Sequence, residues 1–249
     1  MNIALIIAGG SGQRMGQEIP KQFLNVYDKP VIIYTLEAFQ KHKNIDVIAV
    51  VCIDGWQHVL EVYAKQFNIS KLKHIIDGGD CGQASIRNGI MLLEKTYGRE
   101  NIVLIHDAIR PMLSKEIIDD CIKITVENGN AITVIPCAEA MLVTDDKCSS
   151  QESYPRDNLK RTQTPQGFNL GVICDSHREA LKKGILNSVA SCTLMIELGK
   201  KCYFCNGSEK NIKLTTVDDL DIFKALPFST VILIQSSIIS LESIGLIAS

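Results

Sequence analysis

The chain alternates between short unbroken apolar runs and segments whose apolar residues recur at helical spacing. Ile3 to Ala8 is a run of the first kind, as expected of a strand buried on both faces of a parallel sheet. From Pro30, the segment PVIIYTLEAFQKH carries apolar residues at 32, 36 and 39 and predicts an amphipathic helix. Asn44 interrupts it, and IDVIAVVCI (45–53) is a β-branched run typical of a central strand. A helix is expected over 57–66, a short strand over Lys73–Ile76, and a helix over 83–96 with Ile86, Ile90 and Leu93 on one face. NIVLIHDAIRP (101–111) reads as a fourth strand ending in a polar cluster. Ser114 is placed to cap a helix over 115–128, and Asn130–Pro136 reads as a fifth strand. Repeated β-α-β units with short links predict an α/β fold: a mostly parallel twisted sheet flanked by helices on both faces.

The pattern changes between Cys137 and Thr164. This stretch is polar, contains Asp145-Asp146, Ser149-Ser150 and Pro155, and has little helical periodicity. So long an irregular excursion in a compact domain usually serves a purpose, as an arm, a lid or a disordered loop. Helices are expected near 170–183 and 190–199, then a strand at 201–205, and Thr216 with Asp219 forms a capping-box pattern. Residues 227–249 form an apolar tail with one charge, Glu242, and six serines, and without a continuous apolar run long enough to span a membrane.

The first strand runs into IAGGSGQRMGQEIPKQF, where Gly9, Gly10, Gly12 and Gly16 surround Arg14, and Lys21 follows Pro20. A strand opening into a glycine-rich turn lets backbone N–H groups approach an anion, and two cations at fixed distance suit a polyphosphate. The spacing excludes two common nucleotide loops. Gly16 is followed by Gln17, so there is no Gly-Lys-Ser/Thr, and a dinucleotide fingerprint would need its third glycine one place earlier. Ligands of doubly wound sheets bind at the carboxyl ends of strands. Those ends here carry Gly9–Arg14, Gly78-Gly79-Asp80 with Ser85, and His106-Asp107-Ala108-Ile109-Arg110-Pro111.

The formal net charge of −2 gives no broad basic face for nucleic acid, so positive charge at such a site is local and suits a small anion. Nine scattered cysteines, an odd number, with no signal peptide, predict free thiols in a reducing cytoplasm. Cys202 and Cys205 form a lone C-x-x-C with no further ligands to complete a zinc set.

Taken together, IAGGSGQRMG, PKQF, Gly78 to Ser85, HDAIRP, QTPQGF (163–168) and NIKLTT (211–216) resemble the polyol-phosphate cytidylyltransferases. That family includes the 2-C-methyl-D-erythritol 4-phosphate and ribitol 5-phosphate enzymes. The resemblance covers about residues 1–226 and implies a nucleotide-diphospho-sugar transferase type of sheet with a projecting β-arm, 137–162, through which two copies form a homodimer. It implies transfer of CMP from CTP to a small polyol phosphate with release of pyrophosphate and use of Mg²⁺, and no nucleic-acid or membrane partner. By the same resemblance Arg14, Lys21 and Lys213 are catalytic, and Ala8, Gly9, Gly10, Gly79, Asp80 and Ser85 bind the nucleotide. Asp107, Arg110, Arg156 and Thr164 serve the acceptor, with Asp107 also the candidate metal ligand and Arg156 reaching into the neighbouring subunit. Two stretches depart from the erythritol-phosphate pattern: Ala140 replaces a threonine on the arm, and Val189-Ala190-Ser191-Cys192 replaces T-D-E-A. The second departure and the AGGSG opening favour ribitol 5-phosphate over methylerythritol phosphate as acceptor. A nucleotidyltransferase using UTP and a non-enzymatic nucleotide-binding protein are the competing readings.

Overall fold

The computed structural model describes residues 1–10 and 19–225. Arg14, Gly12 and Gly16 of the glycine turn, and the tail expected at 227–249, lie outside the described residues. In chain order the elements are β1 (Asn2–Ala8), a small hairpin of β2 (Asn25–Val26) and β3 (Lys29–Pro30), α1 (Val31–Lys41), β4 (Val47–Cys52) and α2 (Gln57–Gln66). They continue with β5 (Leu72–Asp77), α3 (Gly82–Tyr97), β6 (Ile102–Asp107), α4 (Lys115–Asn128) and β7 (Asn130–Pro136). A hairpin of β8 (Met141–Val143) and β9 (Glu152–Tyr154) precedes β10 (Lys160–Asn169), α5 (Leu170–Lys182), α6 (Ser191–Glu197) and β11 (Phe204–Asn206). A last helix is described over 217–225.

Seven strands form one sheet in the order β11-β7-β10-β6-β1-β4-β5. The pairs β6-β1, β1-β4, β4-β5 and β7-β11 are parallel, and β10 runs antiparallel to both of its neighbours. The apolar run of β1 is divided by strand pleating between two cores. Ala4, Ile6 and Ala8 pack with Ile33 and Leu36 of α1, Leu60 of α2 and Ile118 of α4. Ile3 and Leu5 pack with Ile90 and Leu93 of α3 and Ile173 of α5 on the other face. A strand covered on both faces cannot show polar alternation, which is why these strands appear as continuous apolar runs. Truncating a fully buried residue such as Leu5 to alanine is expected to cost about 2–5 kcal/mol.

Three expectations need correction. The polar stretch through 164 contains no lid or disordered loop at its end: β10 begins at Lys160 and lies inside the sheet. Its Pro165 argues against a central strand, because proline cannot donate to the ladder. The register against β7 shifts between Thr162 and Gln166, so a bulge absorbs the proline and turns residues 163–165 toward the strand ends. The second correction concerns Ser114, which stands at the N-cap of α4 but makes no side-chain cap bond. The strand expected at 201–205 begins only at Phe204.

The capping box at 216 forms as expected. Thr216 N–H donates to Asp219 Oδ2 (2.8 Å) while Asp219 N–H donates to Thr216 Oγ1 (3.2 Å). This fixes the start of the last helix. Leu214 N–H bonds the carbonyl of Ile109 (2.9 Å), which anchors the segment carrying Lys213 beside the end of β6.

Candidate active site

The carboxyl ends of β1 and β6, the bulge of β10 and the start of α6 surround a cavity of about 390 Å³. Ala8, Gly10, Lys21, Asp107, Arg110, Thr164 and Lys213 all line it. Residues separated by up to two hundred positions in sequence therefore share one wall. Asp107 is the only carboxylate among the described lining residues, against the cations of Lys21, Arg110 and Lys213. Such a pocket selects anions.

Asp107 is the centre of the charged group. Its Oδ2 accepts from Arg110 Nε (3.0 Å) and its Oδ1 from Lys213 Nζ (3.3 Å). Burial works to raise its pKa, but the charges of Lys213 and Arg110 outweigh that and hold the carboxyl below its ordinary value. It is therefore ionised at neutral pH. Arg110 also donates through Nη1 to the Asn211 carbonyl (2.7 Å), so it braces the end of β6 against the segment before Lys213.

The backbone of Asp107 is held by a relay through two side chains. Its N–H donates to Thr164 Oγ1 (3.1 Å), and Thr164 Oγ1 lies 3.0 Å from His106 Nδ1. His106 Nε2 lies 3.1 Å from the Arg110 carbonyl, which can only accept, so the proton sits on Nε2 and Nδ1 accepts from the threonine hydroxyl. His106 is fully buried, packed edge-on to Phe39, and burial pushes its pKa down to about 4. It stays neutral and acts as a spacer within the loop.

The glycine turn and the 78–85 loop meet as expected. A Cβ on Gly9 would stand 3.2 Å from Ser85 Oγ, and one on Gly79 would stand 2.6 Å from the Ala84 Cβ, so neither position accommodates a side chain without displacement. Ser85 Oγ accepts from Gly79 N–H (3.0 Å) and is buried, so this hydroxyl closes its own loop. Gly9, Gly79, Asp80 and Ser85 are not among the cavity's lining residues. Their chain neighbours Ala8, Gly10, Gly82 and Gln83 do line it, and Asp80 is exposed. Arg156 follows the β8-β9 hairpin, exposed, with Nη1 donating to the Ala138 carbonyl (2.8 Å), and does not line the cavity of its own chain.

Several buried amides that sequence reasoning left without a role pin these segments. Gln22 Nε2 donates to the carbonyls of Ala8 (2.7 Å) and Gly10 (3.1 Å), tying the glycine turn down beside Lys21. Gln163 Oε1 accepts from Ser208 N–H (3.2 Å) and Asn211 Nδ2 (3.3 Å), and Asn211 Nδ2 also donates to the Thr164 carbonyl (2.8 Å). Gln166 Oε1 accepts from Cys192 N–H (3.0 Å), attaching the start of α6 to β10. These residues sit inside PKQF, QTPQGF and NIK, blocks that the sequence singled out without giving the amides a role. No cluster of three or more metal-ligating side chains occurs among the described residues, and Cys202 and Cys205 have separate partners, the Cys192 carbonyl and Thr133.

Residues 2–226 match the family IspD, 2-C-methyl-D-erythritol 4-phosphate cytidylyltransferase. The ribitol-5-phosphate cytidylyltransferase of Lacticaseibacillus paracasei is 42% identical over 227 residues, 90% of this chain and 97% of that protein. The enzyme of the same name from Vibrio parahaemolyticus is 41% identical over 91% of this chain and 95% of its own. The 2-C-methyl-D-erythritol 4-phosphate cytidylyltransferase of Clostridium botulinum is 36% identical over 88% of this chain and 94% of its own. Among solved structures, the Thermus thermophilus 2-C-methyl-D-erythritol 4-phosphate cytidylyltransferase superposes with a TM-score of 0.71 at 25% identity, over 90% of this chain and 97% of that one. On sequence and fold, the chain belongs to the IspD family of cytidylyltransferases.

Proposed function

We propose that the protein transfers CMP from CTP to ribitol 5-phosphate and releases pyrophosphate. The observation that carries the reading is that Lys21, Arg110 and Lys213 line one cavity at the strand ends with Asp107, its only carboxylate among the described residues, which Arg110 and Lys213 contact. The acceptor comes from the relatives at 42% and 41% identity, which bear the ribitol-5-phosphate name. The 36% relatives and the family description name methylerythritol phosphate, which is the second acceptor to be tried.

In the reaction an oxygen of the acceptor phosphate attacks the α-phosphorus of CTP, a new P–O bond forms, and the bond to pyrophosphate breaks. No covalent enzyme intermediate is required, so the protein contributes positioning and charge neutralisation. Lys213 spends one ammonium hydrogen on Asp107 and keeps two for phosphate oxygens. Arg110, with Nε and Nη1 both engaged, holds Asp107 and the 211–213 segment in place. Lys21 takes the triphosphate together with Arg14 from the glycine turn, and Gly79, Asp80 and the backbone of Gly9 and Gly10 form the base and ribose rim.

Mg²⁺ commonly binds through one or two carboxylates plus substrate phosphates. One carboxylate in a cavity without a protein metal cluster fits that mode and not an all-protein cage. Asp107 would hold the ion on its free lone pairs, and the ion would neutralise charge on the leaving pyrophosphate.

The arm supports a homodimer. Met141, Leu142, Val143 and Tyr154 are all exposed on a two-stranded hairpin, and consecutive exposed apolar residues cover both faces. A lone hairpin of this kind is marginal without a covering surface. A second copy would provide one, and would bring Arg156 to the partner's acceptor phosphate. All nine cysteines are free, which supports a cytoplasmic location, and no helix among the described residues is long and apolar enough to cross a membrane. The test is CTP-dependent pyrophosphate release with ribitol 5-phosphate and with 2-C-methyl-D-erythritol 4-phosphate. Turnover of the first in preference to the second is expected, and the reverse preference overturns the acceptor assignment.

A further inference from the structure

Two polar side chains in the cavity wall have no role in holding the fold. His177 on α5 is 1% exposed, and neither Nδ1 nor Nε2 has a hydrogen-bond partner among the described residues. Ser191, the first residue of α6, is 4% exposed, and its hydroxyl is likewise unpartnered. Both line the cavity that holds Asp107 and Lys213. Buried polar groups without partners are rare in folded proteins, because each has given up its bonds to water.

The surrounding wall is otherwise well satisfied. Gln83 Nε2 donates to the Ile185 carbonyl (2.8 Å) and its Oε1 accepts from Ser188 N–H (2.7 Å), which fixes the segment before α6. Gln166 fixes α6 itself through Cys192 and stands two residues from Thr164, the partner of Asp107. His177 on α5 and Ser191 at the start of α6 thus line the same cavity as Asp107 and Lys213, where the acceptor would bind. Their polar atoms are buried and unpartnered in that wall, and a ligand in the cavity would meet either one after a turn about χ1.

The chemistry of the pair defines its ligand. Burial, with the charge of Arg87 adding to it, keeps the imidazole of His177 neutral at pH 7. A neutral imidazole has one donor and one acceptor, and a serine hydroxyl can both give and accept. Phosphate oxygens only accept, and the cations that would suit them lie elsewhere on the wall. A ligand hydroxyl gives and accepts in the same way as these two side chains. We propose that His177, with Ser191, reads the hydroxyl chain of the acceptor polyol and sets the specificity of that subsite. This rests on the polyol-phosphate reading given above.

The test is steady-state kinetics of the wild type, His177→Leu and His177→Gln, varying CTP and acceptor separately, with melting temperatures of all three. His177→Leu should raise KM for the acceptor about 10-fold, the scale of losing one buried hydrogen bond, and leave KM for CTP within about 2-fold. Because it removes an unpartnered buried group, its melting temperature should hold or rise by about 2–4 °C. His177→Gln keeps a donor and an acceptor and should stay within about 3-fold of the wild-type acceptor KM. The proposal is overturned by an unchanged acceptor KM, by a parallel rise in KM for CTP, or by a fall in melting temperature that accounts for the lost activity. The wild-type acceptor panel separates this from the assignment of ribitol 5-phosphate: turnover of only methylerythritol phosphate rejects that assignment, and the His177 comparison is then read on the acceptor used. If neither is turned over, calorimetric titration of ribitol 5-phosphate decides, with binding lost in His177→Leu supporting the subsite and equal or absent binding in both proteins overturning it.

Discussion

Replacing Thr164 by valine removes one hydroxyl and keeps the side chain's shape, which makes it a direct probe of the relay behind Asp107. That hydroxyl accepts from Asp107 N–H (3.1 Å) and donates to His106 Nδ1 (3.0 Å). His106 is fully buried, so no water replaces the lost partner. Each of the two orphaned groups costs about 1–3 kcal/mol, so Thr164→Val should lose roughly 2–6 kcal/mol of stability. The Asp107 N–H at the end of β6 then loses its side-chain bond to the β10 bulge, and Asp107 should hold Lys213 less firmly in one place. A displacement of that kind in a site that works by positioning should lower kcat by roughly 10- to 100-fold. Urea unfolding should show a lower midpoint with an unchanged m value, and kcat is measured with CTP and ribitol 5-phosphate both saturating. Thr164→Ser keeps the hydroxyl and should recover most of both losses. A Thr164→Val enzyme with the wild-type urea midpoint and the wild-type kcat would refute the relay.

Two further outcomes follow from the same geometry. His106 and His177 each have a pKa pushed by burial from 6.5 to about 4. The unfolded chain therefore binds protons below pH 6.5 that the folded chain refuses until about 4, so stability is full above that window and falls as pH drops through it. Between pH 7 and 5 the loss should be about 2 kcal/mol for each histidine, and His177→Leu should remove its share; equal urea midpoints at the two pH values would contradict this. For the arm, Arg156→Ala and Lys213→Ala should each be nearly inactive alone. In the proposed dimer the Lys213→Ala chain would lend its arm to the other core, so a refolded mixture should hold heterodimers with one intact site and recover about a quarter of wild-type activity. A mixture no more active than its components would show that Arg156 does not cross to the partner.

Where burial leaves a regular pattern, the sequence predicts the fold closely. The helix at 57–66, the helix at 115–128 and the strand at 130–136 stand where apolar spacing put them. The strand β10 gave no such signal, because its site-facing part is polar and contains Pro165, and its place in the sheet depends on a bulge that local propensity does not encode. The arm hairpin is exposed on both faces, so it carries no alternation either. Within the site, Asp107 and Arg110 were recognisable because charge at the end of an apolar strand is conspicuous, Lys21 because it follows the glycine turn, and Lys213 only through the resemblance of NIKLTT. The amides of Gln22, Gln163, Gln166 and Asn211 were not, since their roles depend on partners up to 48 residues away in sequence. His177 gave no signal at all, because an isolated histidine on a helix usually serves packing and only its unpartnered nitrogens distinguish it.

The central claim is that this cavity joins CMP to a polyol phosphate. It is tested most directly by incubating the purified protein with CTP, Mg²⁺ and ribitol 5-phosphate, and measuring pyrophosphate together with the CDP-linked product. The account predicts both in equal amounts, with no release when the acceptor is omitted and at least about 100-fold less with Lys213→Ala, the scale of losing one charge-stabilising group. No product from ribitol 5-phosphate or methylerythritol 4-phosphate, or equal turnover by Lys213→Ala, would contradict it.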